Sequence, residues 1–261
     1  PNDPRQSPKE NVAQYPLEDV GIPDNFLPAY PYKEDIGCSA GLRDEKLAPF
    51  PRTEYSVKVH RQEYYAIISH LDAQIARILA HLEETGRAEN TYIFFTADHG
   101  LSVGQHGLMG KQNMYEHSMR PPLIVVGPDV PKGKRKKMAV YLQDIMPTAI
   151  EYAGGEVPEW VEFNSLRPYI EGKNTISAYP EIYGAYMDLQ RMIRLDDYKL
   201  IVYPKAGVIK LFDLFNDPLE QYNLAGSTTQ KERVKSLYGK LQELQVEMGD
   251  TLDLSQYRFN L

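Results

Sequence analysis

Apolar and polar positions alternate in three different ways along this chain, and each way predicts a different kind of element. Two short runs, 92–95 (Tyr-Ile-Phe-Phe) and 123–126 (Leu-Ile-Val-Val), are β-branched or aromatic throughout and bounded by polar residues or Gly-Pro. Unbroken runs of that length read as buried strands. Between 54 and 86 the period is helical: Tyr64, Ile68, Leu71, Ile75, Ile78 and Leu82 recur at three and four residues, with Gly86 as the stop. A second helical pattern covers 140–153, with Leu142, Ile145, Ala149, Ile150 and Ala153 on one face. Pro147 falls inside it, which predicts a kink or a start near that residue.

Past residue 175 the texture changes. Strand-like runs at 178–185, 190–195, 198–203 and 209–214 are separated by turn chemistry at Asp196-Asp197 and Lys205-Ala206-Gly207. A last helix is predicted over 229–248, with Val234, Leu237, Leu241, Leu244 and Met248 in register to pack on a small antiparallel sheet. Residues 1–51 are rich in Pro, Asp, Asn and Tyr and show little period, so they read as an irregular segment laid over the domain. No internal repeat or low-complexity segment is present.

Composition changes this picture little. With 261 residues, 42% apolar and 25% charged, the chain can bury a core as one large or two smaller domains. A formal charge of −7 disfavours nucleic acid as a partner. No run approaches the roughly 20 apolar residues of a membrane span. Cys38 is the only cysteine, which excludes an intrachain disulfide and reads as an ordinary loop cysteine. A signal peptide is absent, but the sequence opens at Pro1 without Met, so compartment stays open. The basic run Lys132-Gly133-Lys134-Arg135-Lys136-Lys137 reads first as a solvated loop, and more sharply as a contact for an anionic polymer. His60, His70 and His81 share a helix, but His70 and His81 are not spaced as a helical metal pair; surface or packing roles are expected.

The chemistry concentrates at the end of the first strand. Asp98 and His99 stand together there, a carboxylate and an imidazole able to hold a cation. Glycines at 100, 104, 107 and 110 permit a tight loop, and Lys111 at its end can hold an anionic oxygen. Glu116 and Arg120, four apart, are expected to pair and fix the next turn. The order Thr-Ala-Asp-His-Gly (96–100), His-Gly-x-x-x-Lys (106–111) and Glu-x-x-x-Arg-x-Pro (116–122) resembles the second half of the active site of the sulfatases, in the alkaline phosphatase superfamily. Three further stretches resemble the same family: 43–53 before the long helix, as in bacterial members; Leu-x-Asp-Ile-Met-Pro-Thr at 142–148; and Leu-Phe-Asp-Leu-x-x-Asp-Pro-x-Glu-x-x-Asn-Leu at 211–224.

The resemblance implies an α/β fold: part of a mixed sheet flanked by helices over 1–174, and a small antiparallel sheet with a helix over 175–261. It implies hydrolysis of sulfate esters, on a sulfated small molecule or glycan, by a formylglycine nucleophile. A divalent cation, usually calcium, polarises the sulfate while lysines neutralise its charge. Carried over, Asp98 and His99 are metal-site residues and Lys111 a sulfate contact. Many members carry Asn where His99 stands, so His99 sits at the edge of the shell, bonds substrate, or favours another metal. His106 lines the same loop or holds it by a hydrogen bond, and His117 is structural or faces substrate. Asn2 replaces the family's substrate-contacting His, and cannot shuttle a proton. Cys38 does not fit the formylglycine motif, because Arg43 is one residue late. The family's first Asp pair, Cys motif and first lysine are not in these residues, and two ligands cannot hold calcium, which takes about 6–8 oxygens. The expectation is a polypeptide inactive alone and metal-free, whose partner is the missing amino-terminal portion or a second copy. A phosphodiesterase or phosphonate monoester hydrolase of the superfamily, or a non-catalytic member, is the alternative.

Overall fold

A computed structural model of the protein describes residues 5–259 and shows an α/β architecture. The elements in order are α1 (Lys9–Val12), α2 (Glu54–Glu84), β1 (Ile93–Thr96), α3 (Glu116–Met119), β2 (Leu123–Val126), α4 (Ile145–Tyr152), α5 (Arg167–Ile170), β3 (Glu181–Tyr186), β4 (Gln190–Leu195), β5 (Tyr198–Tyr203), β6 (Val208–Asp213) and α6 (Lys231–Glu247). They divide into two compact units interleaved along the chain: 1–78, 99–120 and 183–261 form one, 79–98 and 121–182 the other. None of these helices is long and apolar enough to cross a membrane.

The first unit is built on a four-stranded sheet in sequential order β3-β4-β5-β6, with antiparallel pairing from β4 to β6. Asp196-Asp197 makes the tight turn between β4 and β5, Asp196 taking φ +52°, a conformation that Asp tolerates better than most residues. Gly207 supplies φ +63° at the β5–β6 turn. Alternation along β5 sends Leu200 and Val202 to one face, where they meet Ile193, Ile209 and Leu211 and are sealed by Val234, Leu237 and Leu241 of α6. Each such side chain contributes about 1.5–3 kcal/mol by leaving water. The opposite face is buried too, so Lys199, Ile201 and Tyr203 have no access to solvent. The irregular segment provides part of this cover: Tyr30 donates to the Tyr203 hydroxyl at 2.9 Å and shares a 2.9 Å hydrogen bond with Tyr115.

The second unit holds β1 and β2 as an antiparallel pair, Ile93 opposite Val126 and Thr96 opposite Leu123. The predicted burial of these strands is corrected: Phe95, Ile124 and Val126 are 38%, 54% and 53% exposed. Their composition is that of core strands, but no third strand joins the pair among the described residues. Nearby, Tyr92 stacks on Tyr152 at 4.1 Å, and Gly127 leaves room for the Tyr92 ring, which a Cβ there would strike at 2.3 Å. The helical pattern at 140–153 resolves into a 3₁₀ turn at Leu142–Asp144 followed by α4, so Pro147 lies in the first turn, where its missing N–H costs nothing. Asp144 is fully buried and accepts from Tyr141 N, Asn164 N and the Tyr179 hydroxyl; burial still raises its pKa above the ordinary carboxylate value. Trp160, the only tryptophan, is 75% exposed.

Helix α2 forms as predicted and stops at Gly86, φ +68°, with Arg87 N closing back on Leu82 O. Its stripe is only partly covered: Tyr64, Ile75 and Leu82 are half-buried, while Ile68, Leu71 and Ile78 are exposed. Asp72, beside that stripe, is exposed as well.

Candidate functional site

From the end of β1 the chain passes through Asp98 into a loop, 99–115, wound tightly on itself. Gly100 N donates to Ser118 O and Leu101 N to His117 O, both at 2.8 Å, so the loop's start lies along its own end. That approach demands glycine: a Cβ at Gly100 would fall 1.9 Å from His117 O. Ser102 N to Gly110 O and Gly104 N to Leu108 O close the inner turns. Gly104 and Gly107 take φ +97° and +76°, and His106 between them takes +52°, fixed by its N–H donating to Asn25 O at 2.8 Å.

Side chains from remote parts of the first unit grip this loop. The fully buried Glu45 carboxylate accepts from Met109 N and Gly110 N at 3.0–3.2 Å and pairs with the equally buried Arg52. Arg52 also donates to Glu45 O and Gly107 O and lies over the Phe50 ring. At the other end Lys199, wholly buried in β5, contacts Glu116 at 2.6 Å and Glu220 at 2.9 Å, and donates to Met114 O at 3.0 Å. Glu220 Oε2 accepts from Glu116 N at 2.7 Å, so the triad pins the first turn of α3. Burial would raise the Glu116 pKa, but Lys199 and then Arg194 hold it below the ordinary range. The expected Glu116–Arg120 pair exists only as a 3.7 Å contact on an exposed arginine; the buried lysine is the main partner.

The sequence candidates divide by position. Asp98 is exposed and His99 half-buried. The His99 ring sits with Nδ1 2.8 Å from Gly100 O; a carbonyl can only accept, so Nδ1 carries the hydrogen and a neutral ring keeps its lone pair on Nε2. Lys111 is half-exposed, and no hydrogen bond or ion pair holds its ammonium among the described residues. His106 points inward: its ring stacks on Tyr115 at 3.9 Å and meets Asn25 Nδ2 at 3.2 Å. Burial, then the nearby Lys210 and Lys199, push its pKa down to about 4. His117 hydrogen-bonds Ser102 Oγ at 2.7 Å, and burial followed by His106 and Lys199 keeps it well below the usual imidazole value. Cys38 is buried, its thiol donating to Gln112 O at 3.2 Å and driven further toward the protonated form by burial. Asn2 lies outside the described residues. The charged supports Glu45, Arg52, Lys199 and Glu220 carried no role in the sequence reading. Their one signal was position: Glu45 and Arg52 fall in the 43–53 stretch, and Glu220 in the motif at 211–224.

Asp98 and His99 are the two residues the sequence offered as metal-site candidates. His99 has the tautomer of a metal-binding imidazole, its other nitrogen held by a carbonyl, and Asp98 offers an exposed carboxylate. Among the described residues no cluster of three or more His, Cys, Asp or Glu side chains is arranged to hold a metal.

Comparison with known proteins accords with this arrangement. The family model described as Sulfatase matches residues 4–155, and that described as N-sulphoglucosamine sulphohydrolase, C-terminal, matches 104–247. An arylsulfatase of Clostridium perfringens is 32% identical over 251 residues, covering 91% of this chain and 50% of its own length. A solved structure of a protein in complex with its substrate, D-glucosamine-2-N,6-O-disulfate, superposes with a TM-score of 0.70 at 29% identity, over 76% of this chain and 42% of that one. A phosphonate monoester hydrolase from Silicibacter pomeroyi superposes with a TM-score of 0.70 at 23% identity over 92% of this chain and 48% of that one, a likeness of fold alone. The chain thus spans about half the length of the curated relatives it matches, or less. With one family model covering more than half of its residues, the Asp98-His99-Gly100 loop among them, the chain belongs to the sulfatase family.

Proposed function

We propose that this chain is the carboxyl-terminal part of a sulfuric ester hydrolase acting on a sulfated sugar or other sulfated small molecule. The observation that carries the reading is Lys111: among the described residues its ammonium has no counter-ion in contact, at the end of a loop whose backbone is tied down on both sides. Such a charge is set to receive an anionic oxygen. The glucosamine disulfate named as substrate of one relative makes a sulfated amino sugar the first candidate.

In this reading Asp98 and His99 are two ligands of a divalent metal, calcium by family resemblance. When bound, that ion supplies Lewis-acid polarisation of the sulfate. The chain's own residues do the rest. Gly100 lets the loop turn back on α3, His99 has its ring oriented by donating from Nδ1 to Gly100 O, and Lys111 neutralises charge on the transferring group. His106 and His117, both neutral at pH 7, support the loop from inside. Two ligands fall short of the about 6–8 oxygens that calcium takes. The remaining ligands and the nucleophile therefore come from outside these residues, and these 261 residues alone are inactive and metal-free.

The test is an assay of the protein as its gene encodes it against paired aryl sulfate, aryl phosphate and phosphonate esters. Hydrolysis of the sulfate, with kcat/KM lowered on the order of 10²–10³-fold by Lys111→Met, is expected. Preference for the phosphorus esters would transfer the assignment to phosphonate or phosphodiester hydrolysis. For the 261-residue chain alone, calorimetric titration with calcium should show nothing tighter than about millimolar; micromolar binding would overturn the missing-ligand argument.

A further inference from the structure

The stretch 43–53 carries two adjacent acids with no assigned task, and both face the loop that ends in Lys111. Glu45 binds Met109 N and Gly110 N directly. Asp44, 2% exposed, takes Gln112 Nε2 at 2.9 Å, and the same amide's Oε1 accepts from Lys111 N at 3.1 Å. Three successive backbone N–H groups, at 109, 110 and 111, therefore end on this acid pair, the third through Gln112. The approach is close enough to require glycine at 110, where a Cβ would stand 2.7 Å from Gln112 Oε1 and 2.9 Å from Asp44 Cβ. Burial would raise the Asp44 pKa, but the hydrogen bonds from Gln112 and Arg43, and last the Lys111 charge, hold it below the ordinary carboxylate value. Arg43 binds its Oδ1 at 2.9 Å, and Arg52 neutralises Glu45, so both acids are held in place from behind.

We propose that Asp44 and Glu45 are positioning residues for Lys111, fixing its backbone so that the ammonium meets a sulfate oxygen without rearrangement. What the ammonium does rests on the sulfatase reading above; how it is held rests on geometry alone. A substitution there misplaces a charge rather than removing it, so its cost should appear in turnover and only where Lys111 is present.

Two readouts on the protein as its gene encodes it decide this. In amide hydrogen exchange, Glu45→Gln should speed exchange at Met109 and Gly110, and Asp44→Asn at Lys111, with β5 amides unmoved; unchanged rates at 109–111 overturn the clamp. With 4-nitrophenyl sulfate as probe, Asp44→Asn should lower kcat/KM about ten-fold and do nothing further in a Lys111→Met background. Equal loss in both backgrounds, the mark of general damage, overturns the proposal. Gly110→Ala presses on the same pair and should reproduce the Asp44→Asn pattern even if Glu45→Gln fails to fold. If the unsubstituted protein cleaves no sulfate ester, the sulfatase reading falls, and the exchange rates alone uphold or overturn the clamp.

Discussion

The β3–β6 sheet and the β1–β2 pair are made from similar apolar runs and end in opposite conditions. Leu200, Ile201 and Val202 have no exposed surface, because α6 covers one face of β5 and Tyr30, Tyr115 and the 99–115 loop crowd the other. Ile124 and Val126 have the same chemistry and stand more than half exposed. A strand's sequence states how much burial it can use; neighbours decide how much it receives. The first unit brings its own cover, including a buried lysine neutralised by two glutamates. The second unit, as described, does not.

The largest expected effect lies at that lysine. Lys199→Met leaves Glu116 and Glu220 buried without their cation, and should cost about 3–5 kcal/mol in urea unfolding. A loss under 1 kcal/mol would mean that Arg194 and solvent can replace it. Next comes the direct contrast. Leu200→Ala should cost about 2–5 kcal/mol, whereas Ile124→Ala on β2 should stay within about 0.5. Equal losses would break the comparison, since they would show β2 buried in solution. A further effect is in pH. Unfolded, His106 binds a proton below its ordinary 6.5; folded, it does so only near 4. Between those values the unfolded chain holds more protons, so stability falls with falling pH by about 1.4 kcal/mol per unit for this one group. His117, also depressed, acts in the same direction. His106→Asn should flatten the slope of stability against pH between 4 and 6.5, and an unchanged slope would remove His106 as its source.

Where periodicity and cover agree, the sequence was readable. Helix α6, the turns at Asp196-Asp197 and Gly207, and the stop at Gly86 were legible because each depends on neighbours within a few residues. The strand after which Asp98 falls was legible for the same reason, though its exposure was not. Lys199 shows the limit. A single Lys in a strand reads as surface, and its burial depends on Glu116 and Glu220, 83 residues before it and 21 after. Likewise Glu45 and Arg52 bind backbone groups near 107–110, and backbone partners leave no trace in composition. His106 was legible as a loop residue, but its neutrality comes from stacking on Tyr115 and from two lysines brought up by β5 and β6.

The lone indole at Trp160 governs how such experiments can be watched. Already bathed in solvent, its emission would shift little when the chain melts, so a fluorimeter tuned to it would report on one surface loop. Optical activity from the buried phenols at 30, 115 and 203 is the signal that disappears with the packed interior.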